Sequence, residues 1–107
     1  MALKPETWDV IGDVLHERRV QNAKWGEQDH PDGTALGNYD KWSEVHAKEA
    51  TNNAAADGRC TWRLILAEEV AEAFAESDPT LLREELIQVA AVASAWVEAI
   101  DRREANK

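Results

Sequence analysis

Apolar residues recur at helical spacing in four stretches of the chain, and no stretch alternates in the manner of a strand. The first predicted helix starts between Pro5 and Thr7 and runs to about Lys24, with Trp8, Ile11, Leu15 and, less cleanly, Val14 on one face. Residues 26–38, rich in Gly, Asp and Pro, have the composition of an ordered loop. Asn38 is a candidate cap for a second helix carrying Tyr39, Trp42, Val45 and Glu49, which fades at Asn52-Asn53 and stops by Gly58. Thr61 caps a third predicted helix that runs to about Glu76. Asp78 caps a fourth, with Pro79 at the first helical position, where its missing N–H does no harm, and this helix continues to about Arg103. Only Ser77 to Pro79 join the last two, so they must fold back as an antiparallel hairpin. The pattern predicts an all-α fold, an antiparallel helical bundle of about four helices.

Composition narrows the partners. The chain has 107 residues, enough for a single domain over residues 1–107. Lys plus Arg total 12 against 21 Asp plus Glu, a net charge of −9. Such an excess of acid argues against a nucleic-acid polymer or an anionic membrane as partner and favours metal ions, or ligands carried in with them. Eighteen of the apolar residues are Ala. The bulky set is small, and the bundle is expected to be completed by oligomerisation, as a homodimer or homotetramer. Cys60 is the one cysteine, the start of the chain lacks a signal-peptide core, and the longest apolar run, Val89 to Val97, is interrupted by Ser94. That run is about half of what a bilayer span needs. The expectation is a soluble, cytoplasmic protein.

The acidic residues carry the candidate chemistry. On a helical wheel Glu69, Glu72 and Glu76 fall in a strip about 60° wide, among Trp62, Ile65 and Ala73, while Glu68 points about 100° away. On the fourth helix Leu81, Leu82, Leu86, Val89, Val92 and Trp96 form an apolar arc that contains Glu85 and is edged by Gln88. Folding the hairpin sets Glu72 opposite Glu85 and Glu69 opposite Gln88. Packed helices lie about 8–10 Å apart, so these side chains reach a common point. Carboxylates pressed together in a low dielectric either take up protons or bind a cation. An oxygen-only donor set selects a hard ion, Mg²⁺ or Mn²⁺, and neither half offers the Glu-x-x-His of a di-iron centre. The alternative is an ordinary solvated acidic face.

The run Glu68-Glu69-Val70-Ala71-Glu72, twelve residues, then Glu85-Leu86-Ile87-Gln88 resembles the Glu-Glu-x-x-Glu … Glu-x-x-Asp signature of the MazG-like all-α nucleoside triphosphate pyrophosphohydrolases. The likeness is firmest over residues 61–103. It extends more loosely to residues 24–31, similar to a Trp- and His-containing segment that some members place over the base. The resemblance implies Mg²⁺-dependent hydrolysis of a nucleoside triphosphate to the monophosphate and pyrophosphate. By position it implies Glu68, Glu69, Glu72 and Glu85 as catalytic residues and Glu69, Glu72 and Glu85 as metal ligands, with Gln88 in the fourth ligand's place. Gln88 stands where the pattern has Asp, and a neutral amide is a weaker Mg²⁺ ligand than a carboxylate. The alternative reading is a non-catalytic helical oligomer that binds a nucleotide or a protein partner.

Lys24, Trp25 and His30 are the candidate substrate-binding residues. Trp25 sits where the first helix meets the loop and can either stack on a base or plug the loop. His30 lies among Asp29 and Asp32, either solvent-exposed or in contact with a nucleotide, and Lys24 is preferred over Arg18, Arg19, Arg59 and Arg63 as a phosphate cation because it adjoins Trp25. Trp62 and Trp96 sit at core spacing. His46 with Glu49 has metal-like spacing that is usually incidental, His16 needs no function, and Arg102-Arg103 complement a helix C-terminus.

Overall fold

The computed structural model describes residues 2–34 and 60–107, and these form three helices and no strand. Helix α1 spans Pro5–Trp25, α2 spans Trp62–Ala75 and α3 spans Pro79–Ala105. The all-α class is as the periodicity predicts, and each of these ends falls within two residues of its expected place. The predicted helix that begins at Asn38, with His46 and Glu49, lies outside the described residues, as does Arg59.

Local chemistry sets the boundaries. Pro opens α1 and α3, where a fixed φ is already helical and an amide N–H would have no partner. Gly26 ends α1 at φ 67°, returning its N–H to the Asn22 carbonyl at 2.9 Å. Thr61 Oγ1 accepts from the Leu64 N–H at 3.2 Å and starts α2, and Asp78 Oδ2 accepts from the Leu81 N–H at 3.0 Å and starts α3. With only residues 76–78 between them, α2 and α3 pack as the expected antiparallel hairpin.

The core gathers at the α2–α3 seam. Trp62, 2% exposed, packs with Val92, Ala95 and Ala99, and Ile65, Leu66 and Trp96 lie against this group. Ala71, Ala73 and Ala91 are also buried, so small side chains let the two helices approach closely. Helix α1 buries no residue completely. Its expected inward face is open instead: Trp8 is 59% exposed, Ile11 48% and Leu15 51%, with only Val14 partly covered. Leu81 and Leu86 of the α3 arc are exposed as well. Two ion pairs join α1 to α3, Asp13–Arg83 at 2.6 Å and Arg18–Glu98 at 2.8 Å. These pairs ascend both helices together, so α1 and α3 run in the same sense.

Residues 26–34 cross the far end of this bundle and are held there by hydrogen bonds. The Pro31 carbonyl accepts from Trp62 N–H at 2.9 Å and the Asp32 carbonyl from Arg63 N–H at 3.0 Å. The Asp32 carboxylate takes the Trp96 indole N–H at 2.8 Å and both guanidinium nitrogens of Arg103, at 3.2 and 3.0 Å. Arg102 reaches the Gln28 carbonyl and Asp29 Oδ1, each at 2.9 Å. The two arginines sit in the last turn of α3, where the helix dipole favours them, and also clamp this segment.

Candidate functional site

The α2–α3 hairpin brings three carboxyl groups together. One oxygen from each of Glu69, Glu72 and Glu85 lies within 4.8 Å of the other two, and all three residues are partly buried. The i, i+3 spacing of Glu69 and Glu72 puts both on the α2 face that meets α3, and Glu85 approaches from the first half of α3. Gln88 follows one turn further along α3 and is partly buried.

Charge is poorly accommodated in this seam. Burial first, and then the neighbouring charges of Glu72, Glu85, Glu68 and Glu17, push the Glu69 carboxyl up to about 7 from a usual value of 4.5. The Glu85 carboxyl is also raised, chiefly by burial, then by the charge of Glu72 and a hydrogen bond shared with it. A hydrogen bond between two carboxyl groups needs a proton on one of them. Glu69 Oε2 and Glu85 Oε2 are buried oxygens without a hydrogen-bond partner. Uncompensated buried oxygens of this kind are costly in a folded chain.

A cavity of about 390 Å³ opens beside the cluster, between α1, α2, α3 and the crossing segment. Glu68 and Glu69 border it at one end, and Trp25, His30 and Trp62 supply ring walls. His30 meets Trp62 edge-on, with centroids 5.0 Å apart and planes at 79°. Gln28 Nε2 lies 3.3 Å from His30 Nε2, and donates to it when His30 is the Nδ1–H tautomer. Cys60 also lines the cavity, its thiol pushed up by burial and by the charge of Glu68. Lys24 is exposed, with its ammonium 4.9 Å from the Trp25 ring centroid, a cation–π contact on the surface.

Several sequence-predicted residues therefore meet and others do not. Glu69, Glu72 and Glu85 converge, Glu68 borders the adjoining cavity, and Trp25 and His30 line it. Trp62 is core, as its spacing predicts, and is at the same time a cavity wall. His30 is partly buried and packed rather than open to solvent. Sequence reasoning passed over Gln21 and Gln28, whose carboxamides also face this space, and Glu17, whose charge reaches Glu69 from α1. Gln21 and Glu17 are four apart on one face of α1, and that spacing was the available signal. No family model matches the chain, nor does any curated protein or solved structure.

Proposed function

We propose that the chain is an Mg²⁺-dependent nucleotide pyrophosphohydrolase, converting a nucleoside triphosphate to the monophosphate and pyrophosphate. The observation that carries this reading is the convergence of Glu69, Glu72 and Glu85 with two buried, unpartnered oxygens, directly beside a ring-walled cavity. The donor set fits a hard divalent cation: it is all oxygen, anionic, and short of hydrogen-bond donors. Glu69, Glu72 and Glu85 would hold the ion, with the Gln88 carbonyl oxygen as the neutral fourth donor. A bound Mg²⁺ supplies charge neutralisation for phosphate oxygens and Lewis acidity toward an attacking water. Manganese has the same donor preference.

The protein groups divide the remaining work. Trp25, His30 and Trp62, which line the cavity, would hold a planar base by ring contact. Glu68, which lines the cavity beside Glu69, would accept a proton or orient water at the phosphate end. The signature resemblance over residues 61–103 agrees with this division. The exposed face of α1, Trp8, Ile11 and Leu15, supports a homodimer or homotetramer in which a second copy covers it. Both nucleotides and the reducing conditions that keep Cys60 a thiol belong to the cytoplasm.

Purified protein incubated with a panel of nucleoside triphosphates and Mg²⁺ is expected to release pyrophosphate. Glu72→Gln is expected to lower the rate by about a hundredfold or more, in the range seen when one charge-stabilising group is removed. Pyrophosphate release from no triphosphate, or a Glu72→Gln rate equal to wild type, would remove the catalytic reading. The neutral amide of Gln88 favours a second reading, a nucleotide-binding oligomer that has lost catalysis. A wild type near zero whose activity appears on Gln88→Asp would select it.

A further inference from the structure

Two carboxamides on the cavity wall are held in defined orientations. Arg18 is pinned by Glu98, through its Nε and Nη2, both 2.8 Å from the same carboxylate oxygen, and its side chain is only 20% exposed. Its remaining nitrogen, Nη1, donates to Gln21 Oε1 at 3.2 Å. A guanidinium only donates, so the Gln21 amide must turn its oxygen to Arg18. Both N–H groups of Gln21 are left for the cavity this residue lines. Gln28 is set the opposite way. With His30 as the Nδ1–H tautomer, its amide nitrogen donates to His30 Nε2, which leaves the side-chain Oε1 as the unused acceptor. One wall therefore offers a donor from α1 and an acceptor from the crossing segment.

Resting on the nucleotide reading of this site, we propose that the cavity selects bases with a lactam edge, a keto oxygen beside a ring N–H, over bases with an amino group beside a bare ring nitrogen. The keto oxygen accepts from Gln21 and the ring N–H donates to Gln28. An amino-bearing base presents the reverse pattern, donor to donor and acceptor to acceptor. Beside Trp62, which is 2% exposed, water is poorly placed to relieve that mismatch. Arg18 acts as a positioning residue: without it the Gln21 amide is free to rotate and read either edge.

Binding constants for matched pairs of α,β-methylene triphosphates, uridine against cytidine and inosine against adenosine, measured with Mg²⁺, test this. Wild type is expected to bind the keto member of each pair at least about tenfold more tightly, since each of the two mismatched hydrogen bonds costs about that much. Gln21→Glu keeps an oxygen for Arg18 but turns the second atom into an acceptor, and is expected to lower the keto-to-amino ratio by about tenfold or invert it. Gln21→Ala and Arg18→Met are expected to bring the ratio to within about twofold of unity while binding persists, with melting curves confirming a folded chain. Equal or tighter binding of the amino members by wild type, or a ratio that none of the three variants moves, overturns the specificity proposal and leaves the nucleotide reading standing. Binding of no nucleotide by folded wild type overturns both.

Discussion

Glu69 shows what the site costs the chain. Its carboxyl is held up to about 7 against 4.5, so between those values the folded state binds a proton that the unfolded state has lost. Stability from this group is whole below about pH 4.5 and drains away as pH rises through about 7, and the raised Glu85 carboxyl adds in the same direction. Glu69→Gln mimics the protonated form. It is expected to melt above wild type at pH 8 without Mg²⁺, with the difference shrinking toward pH 5. Added Mg²⁺, binding only the folded wild type, is expected to raise the wild-type melting temperature at pH 8 and leave the variant nearly unmoved. Melting curves across pH 5 to 8 that superimpose for the two proteins would show that the seam carries no such strain. Much of this was readable from the sequence. The i, i+3 spacing and hairpin geometry place Glu69, Glu72 and Glu85 together without coordinates. The proposed roles of Gln21 and Gln28 were much harder to read, because carboxamides carry no charge signature and their meaning depends on the partner that orients each one.

At the scale of elements, the hairpin was legible and α1 only half so. Capping residues mark α2 and α3 unambiguously: Thr61, Asp78 and Pro79 act where their chemistry predicts. The helical period of α1 was equally clear, but period alone does not say which partner covers an apolar face. In the described residues α1 is fastened to α3 by Arg18 and Arg83 rather than by Trp8, Ile11 and Leu15. The crossing segment has the composition of an ordered loop, and much of its fixity comes from Asp32, whose carboxyl is held below its usual range first by the hydrogen bond from Arg103, then by that from Trp96. Asp32→Ala removes the acceptor for both. The expected result is faster hydrogen exchange at the Trp62 and Arg63 amides, which donate to this segment, with α3's central amides unchanged. Unaltered exchange at those two amides would mean the backbone bonds suffice without the carboxylate.

For the whole molecule, the exposed apolar face of α1 is what bears on the proposed self-association. The completely buried set among the described residues is Trp62, Val92 and five alanines, a thin core for a chain of this length. Trp8, Ile11 and Leu15 remain open on one helix face. Sedimentation at micromolar concentration is expected to give a dimer or larger species, and Trp8→Glu to shift it toward monomer with its circular dichroism preserved. A monomeric wild type, or a Trp8→Glu variant as associated as wild type, would place the contact elsewhere or dispense with it. The high net negative charge opposes self-association, so the assembly should tighten as salt screens it.

The way α2 begins has a consequence for how any phosphorylated ligand must lie. A helix start commonly offers vacant amides to an anion. Here the Trp62, Arg63 and Leu64 amides are all spoken for, by Pro31, Asp32 and Thr61. Gly33, at φ 76°, stacks so tightly on Thr61 that a methyl group there would come within 2.5 Å of its hydroxyl oxygen, so this plug does not shift aside easily. The blunt end of α2 is thus closed to a triphosphate tail. On the proposed nucleotide reading, the tail is expected to run along the helix toward the carboxylates, where like charge alone would turn it away unless a counter-ion comes with it.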